Sequence, residues 1–250
     1  MGCSNPESSD VDNSEWKLVW QDEFNGSSPG PDWKYDLGGN GWGNNELQYY
    51  RAENSWVSDS VLTIEARLES FGGRQYTSSR MKTQGNFSFQ YGRVDIRALL
   101  PEGQGIWPAL WTLGENITSV SWPDCGEIDI MEMIGGDDRE NTVYGTAHWE
   151  YNGTHASYGQ SKTLPSGDYN FAESYHVFSM IWDENSIKWY VDNQQFNELS
   201  ITGADMTEFH NPHFFIFNVA VGGNWPGAPN QSTIFPQQMK VDYIRLFQVQ

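Results

Sequence analysis

Gly126-Glu127-Ile128-Asp129-Ile130-Met131-Glu132 sets acids and aliphatics in alternation. Successive side chains of a strand point to opposite faces, so Glu127 and Asp129 share one face and Ile128 and Ile130 the other. The segment therefore reads as a strand with one face in a core. Strict alternation would next turn Glu132 into that core, where an unpaired carboxylate is costly. A β-bulge near Ile130-Met131 removes the conflict by returning Glu132 to the face of Glu127 and Asp129.

Outward from this strand the same period recurs. Val61–Leu68 and Tyr91–Ala98 alternate, while Val177–Trp182, Ile187–Val191, Phe214–Ala220 and Val241–Phe247 are rich in β-branched and aromatic residues. Such runs are strands. Glycine and Asn/Asp clusters punctuate them at Asp36–Asn45, Gly72-Gly73, Gly135–Asp138 and Gly222–Asn224, and Asp183–Ser186 reads as a hairpin turn. No long helical periodicity appears. Many short strands in one chain predict an all-β sandwich or barrel. Residues 16–250 read as one domain after a polar tail over residues 1–15, which is expected to be disordered.

The chain has 250 residues with 14 basic and 33 acidic side chains, a formal charge of −19. That balance argues against nucleic acid and against an anionic membrane surface as partners. With 12 Trp, 12 Tyr and 13 Phe it is too aromatic for a disordered acidic chain. No apolar window reaches the ~18 residues of a membrane span. Cys3 and Cys125 are the only cysteines, which excludes a disulfide scaffold and an all-Cys metal site. The start lacks the apolar core of a signal peptide. Cys3, followed by Ser4-Asn5-Pro6-Glu7, suits the lipidated first residue of a cell-surface lipoprotein as well as it suits an incidental tail cysteine.

Three carboxyls on one strand face carry chemistry. With one residue absorbed in a bulge, Glu127 and Glu132 stand roughly 13 Å apart along the strand, at about 3.3 Å per residue. Inward-leaning side chains could hold their carboxyls about 5–6 Å apart, the separation of a retaining rather than an inverting glycosidase. Asp129 would lie between them, and crowded like charges would keep one carboxyl protonated as the acid. From the acids alone, a solvated face or a calcium site remains an alternative. The tryptophans shift the balance. Trp107 and Trp111 share a strand face, Trp122 lies just before Glu127, and Trp149 and Trp225 sit in polar or glycine-rich surroundings. Indole faces beside carboxylates suit sugar rings.

These residues resemble glycoside hydrolase family 16. Trp122-Pro123-Asp124-Cys125 leading into Gly126–Glu132 looks like its acid signature. Gly105–Gly114, Gly222–Gly227, Trp20–Phe24, Gly43–Tyr49, Ile187–Asp192 and Val241–Arg245 are similar to segments of its bacterial laminarinases, in order over nearly the whole chain. The resemblance implies a jelly-roll sandwich, concanavalin A-like, with a concave substrate cleft, and endo-acting, retaining hydrolysis of β-1,3-glucan. It implies Glu127 as nucleophile, Asp129 as its helper and Glu132 as acid/base. It implies glucose-binding roles for Asn44, Arg80, Trp107, Trp111, Trp122, His148 and Trp225. It also implies one structural calcium on the convex side, held by the carbonyls of Glu23 and Ser60 and the side chain of Asp242, and no cofactor for catalysis.

A chain this acidic is a poor host for sulfated polymers such as carrageenan, unless Arg74, Arg80 or Arg139 gathers in the cleft. Neutral laminarin meets no such barrier. The expected protein is an extracellular or cell-surface monomer. A β-agarase or mixed-linkage glucanase of the same family is the near alternative. A non-catalytic glucan-binding β-sandwich is the distant one, and it would not need all three acids.

Overall fold

The alternating runs form strands at Val61–Phe71, Gly92–Leu99, His176–Trp182, Ser186–Val191, His213–Val221 and Gln237–Val249. The computed structural model describes residues 16–165 and 170–249; the tail over residues 1–15, with Cys3, lies outside them. Two sheets pack face to face as a sandwich, consistent with a jelly roll. No helix among the described residues is long and apolar enough to cross a membrane.

The outer sheet has ten strands. Its main path runs Gln194–Ser200, Ser186–Val191, His176–Trp182, Gly92–Leu99, Gln237–Val249, Val61–Phe71, Arg74–Ser78 and Gln48–Tyr50. Trp16–Asp22 adds to Gln237–Val249, and Ser55–Ser58 to Val61–Phe71. The second sheet, which carries the cleft, has seven strands in the order Thr154–Thr163, Thr142–Tyr151, Glu127–Glu132, Ile106–Gly114, His213–Val221, Arg80–Lys82 and Lys34–Asp36.

The core lies between the sheets. Ile128, Ile130 and Met131 enter it from one side and Val94, Ile96, Met180, Trp182 and Trp189 from the other. A smaller apolar cluster of Leu113, Cys125, Phe214 and Ile216 packs beside Trp111 and Ile117. That cluster covers Phe214 and Ile216 on the face of His213–Val221 turned from the core, while Asn218 and Ala220 farther along the same face line the cleft; every residue of the strand is buried.

The bulge is where the alternation argument put it. Asp129 pairs with Thr146 and Glu132 with Tyr144, so three steps on one strand oppose two on its neighbour. On the other side Asp129 pairs with Trp111 and Met131 with Leu110. The extra residue lies at Ile130, so Glu132 returns to the face of Glu127 and Asp129 while Ile130 and Met131 both stay buried. The disturbed ladder is satisfied from the opposite sheet, because Trp189 Nε1 donates to the Asp129 carbonyl at 2.8 Å. Gly145 makes room for that indole, since a Cβ there would lie 2.5 Å from the Trp189 ring.

Candidate active site

The exposed face of the Glu127–Glu132 strand forms the floor of a cleft of about 650 Å³. All three predicted acids line it, and so do Asn44, Arg80, Trp107, Trp111, Trp122, His148 and Trp225. Trp149 does not: it follows His148 on the strand, faces the core and is buried. Strand alternation overrides its polar sequence neighbours.

Each glutamate receives an indole N–H. Trp122 Nε1 donates to Glu127 Oε2 at 3.0 Å, and Trp107 Nε1 donates to Glu132 Oε1 at 3.0 Å. Asp129, between them, is 2% exposed and hydrogen-bonded to the Glu127 carboxyl. His148 Nε2 lies 3.1 Å from Asp129 Oδ2 and 3.8 Å from Glu127 Oε1. The ligand-capable atoms of Glu127, Asp129 and His148 fall within 4.8 Å of one another. Hydrogen bonds inside the group and from Trp122 already engage them.

Burial raises all three acids. It lifts Glu127 to about 8, assisted by the Asp129 charge and opposed by His148, the Trp122 N–H and Arg80. It lifts Asp129 to about 8 as well. Glu132 rises well above the carboxylate range through burial and repulsion from both neighbours. Three charges therefore do not coexist at neutral pH. The Trp122 N–H and the Arg80 charge support an ionised Glu127, and the hydrogen bond from the Glu127 carboxyl supports an ionised Asp129, so the pair shares its protons while Glu132 stays the most strongly raised of the three.

Two loops close the walls. Asn45 Nδ2 donates to Asn224 Oδ1 at 2.9 Å, and the Asn224 N–H to the Asn44 carbonyl at 2.9 Å. This ties the Gly38–Asn45 loop to Gly222–Gly227, the two loops expected to shape the cleft. Trp225 packs edge-on against both Trp107 and Tyr144. Trp111 is held by a directional chain. Its Nε1 donates to Asn218 Oδ1 (2.7 Å), Asn218 Nδ2 to the Tyr50 hydroxyl (3.1 Å), and that hydroxyl to Glu46 Oε2 (3.0 Å). Burial raises Glu46 from its ordinary value, against hydrogen bonds from Gln48, Tyr50 and Asn44.

The cleft holds little free positive charge. Arg80 pairs with Asp36 at 3.0 Å and lies over the rings of Trp42 and Trp111. Arg74 donates to the Gly39 carbonyl, and Arg139 to Gln104 and the carbonyls of Gly135 and Gly136. Neither lines the cleft.

Trp42, Glu46, Thr146, His155 and Asn218 also line it and escaped the sequence reading. Asn218 was detectable as the one polar residue inside the apolar run Phe214–Ala220. His155 was detectable from Asn152-Gly153, a two-residue hairpin turn with positive φ at both positions. That turn pairs Glu150 with His155 and so puts His155 on the face of His148.

The residues expected to hold calcium fall together on the outer sheet. Asp22 pairs with Ile244, and Leu62 with Val241, which brings Glu23, Ser60 and Asp242 to neighbouring positions. A register shift at Asp242 marks a bulge there. A carboxylate and carbonyl oxygens are a fitting donor set for calcium. The Glu23 carboxylate is taken by Arg245, which leaves its carbonyl, and Asp242 Oδ2 accepts from Arg97 Nη1 at 2.6 Å. A cation would share the Asp242 carboxylate with that arginine.

A family model described as glycosyl hydrolases family 16 matches residues 42–245. A β-glucanase of Rhodothermus marinus is 44% identical over 99% of this chain and 91% of its own length. The clotting factor G alpha subunit of Tachypleus tridentatus is 40% identical over 94% of this chain, which spans only 34% of that protein. The laminarinase catalytic domain of Thermotoga maritima MSB8 superposes with a TM-score of 0.88 at 47% identity, over 94% of this chain and 99% of that domain. With one family's model over most of its length and such relatives over nearly all of it, the chain belongs to glycosyl hydrolases family 16.

Proposed function

We propose that the protein is an endo-acting, retaining β-1,3-glucanase that hydrolyses laminarin-type polymers by double displacement. The observation that carries this reading is the bulge at Ile130, which sets Glu127, Asp129 and Glu132 on one face of a strand in an indole-lined cleft. The names of the related glucanase and laminarinase support the same substrate.

In the first step Glu127 attacks the anomeric carbon, and Glu132 gives its proton to the departing glycosidic oxygen. Asp129 keeps its proton on the oxygen facing Glu127, which leaves Glu127 the free anion. Forming the glycosyl-enzyme ester removes the Glu127 charge, so the affinity of Glu132 for protons falls. Glu132 then takes a proton from water as that water attacks the anomeric carbon, the bond from that carbon to Glu127 breaks, and the β-configuration is restored with Glu127 freed as carboxylate. Trp107 and Trp122, which hold the two glutamates by their N–H groups, also present apolar ring surface to the sugars.

The pairing of Arg80 with Asp36 favours a neutral substrate over a sulfated one. The intact acid set favours catalysis over binding alone. A structural calcium at Glu23, Ser60 and Asp242, an extracellular or cell-surface location and a monomeric state complete the reading. Side-by-side product assays on laminarin, lichenan, agarose and carrageenan test it, with NMR of the first products formed. Cleavage of laminarin to β-anomers is expected; initial α-anomers or agarose-only cleavage would overturn it.

A further inference from the structure

We infer that His155, on the outermost strand of the cleft sheet, is a positioning residue that holds both arms of the Glu127–Asp129 pair without touching either carboxyl. This rests on the reading of Glu127 and Asp129 as the reacting pair.

The first arm is a hydrogen-bond chain. His155 Nε2 lies 2.8 Å from His148 Nδ1, and His148 Nε2 lies 3.1 Å from Asp129 Oδ2. A neutral imidazole has one N–H and one acceptor nitrogen. The proton shared by Asp129 and Glu127 lies on their side of the carboxyl, so Asp129 Oδ2 accepts toward His148, and His148 must carry hydrogen on Nε2. His148 Nδ1 is then an acceptor, and His155 must supply an Nε2–H. His155 thus selects the His148 tautomer that serves Asp129. In the other tautomer a nitrogen lone pair would face the Asp129 oxygen and weaken its hold.

The second arm is aromatic. The His155 ring lies edge to edge and nearly coplanar with His148, centroids 5.1 Å apart, and 4.6 Å from the Trp122 ring. Trp122 is 46% exposed and donates to Glu127 Oε2. Without His155 this indole loses a supporting ring and gains rotational freedom. One imidazole therefore backs the N–H that steadies Glu127 and the N–H that steadies Asp129.

Burial lowers the His155 pKa, so the neutral ring demanded by the chain is maintained near neutral pH. The hairpin supplies the placement. Asn152-Gly153 fixes the register Glu150↔His155, diagonal to His148 on the same sheet face.

The test compares the full chain with His155→Ala and His155→Gln, whose amide can still donate to His148 Nδ1. Steady-state kinetics on laminarin are paired with ¹⁵N spectra of the imidazoles. For His155→Ala, kcat should fall roughly five- to tenfold with KM changed less than about twofold, as expected for slight misplacement of reacting groups. The His148 signals should shift from a single Nε2–H form to a tautomer mixture. His155→Gln should restore most of both. A loss confined to KM, an unchanged His148 tautomer in His155→Ala, or equal impairment in both variants would overturn the inference. A wild-type protein inactive on laminarin would instead sink the functional reading, while the tautomer spectra would still decide the role of His155.

Discussion

The indole nitrogen of Trp189 donates a 2.8 Å hydrogen bond to the backbone carbonyl of Asp129, across the sandwich from one sheet to the other. The acceptor belongs to the residue at which the bulge begins, so the outer sheet braces the backbone that presents the acids.

Trp189→Phe keeps most of the ring and removes this donor. A buried carbonyl left unpaired costs about 1–3 kcal/mol. For a chain of this size that lowers Tm by about 2–12 °C, at about 2–4 °C per kcal/mol. Calorimetry reads the shift, and kcat should fall with little change in KM. A variant matching wild type in both would show that the brace is idle.

Glu127→Ser should lose turnover and keep oligosaccharide binding, because a nucleophile acts mainly in the transition state. Glu132→Ala should retain more activity on an aryl glucoside with a good leaving group than on laminarin. Added azide should restore turnover and give a β-glycosyl azide. No rescue by azide would remove Glu132 from the acid/base role.

The raised acids give stability a definite pH slope. A buried carboxyl whose folded pKa lies above its unfolded value, about 4.3 for Glu, binds more protons in the native state than in the unfolded one. Stability then declines as pH rises from that value through about 8, where Glu127 and Asp129 titrate. Glu132→Gln removes one of the repelling charges and keeps the shape. Its Tm advantage over wild type should be small at pH 5 and grow toward pH 9. An advantage that shrinks with pH would contradict the cluster's charge assignment. The same acids should give kcat/KM a bell-shaped profile, with Glu127 on the acidic limb and Glu132 on the basic limb.

Exhaustive chelation should lower Tm while leaving oligosaccharide affinity unchanged, since an ion bound only to the folded state stabilises by mass action. Asp242→Ala should abolish the response to added calcium. A melting curve indifferent to chelator would remove the cation from Glu23, Ser60 and Asp242.

The strand reading was legible because Glu132 could not be buried alone, so alternation itself demanded a bulge within two residues. The cleft tryptophans were legible in part. Trp107 and Trp111 follow from strand period, but Trp149 was misplaced because polar neighbours suggested exposure, when its parity with His148 assigns it to the core. Glu46 was hidden for another reason. Its role depends on which strands become neighbours, because Asn218 reaches Tyr50, and through it Glu46, only after residues far apart in the chain are brought together. The Trp189 brace was equally invisible, since it needs both the packing of the two sheets and the gap left by Gly145.

The Ile130 bulge also divides heritable labour within the molecule. All three acids stand on six consecutive residues of an interior strand, braced from behind, while Trp42, Asn44 and Trp225 stand on surface loops. Insertions or substitutions in those loops can reshape what enters the cleft without moving a carboxyl. Loops tolerate such change and an interior strand does not. The reaction and the choice of polymer can therefore drift at different rates, with the chemistry held by backbone geometry and the appetite left to the rim.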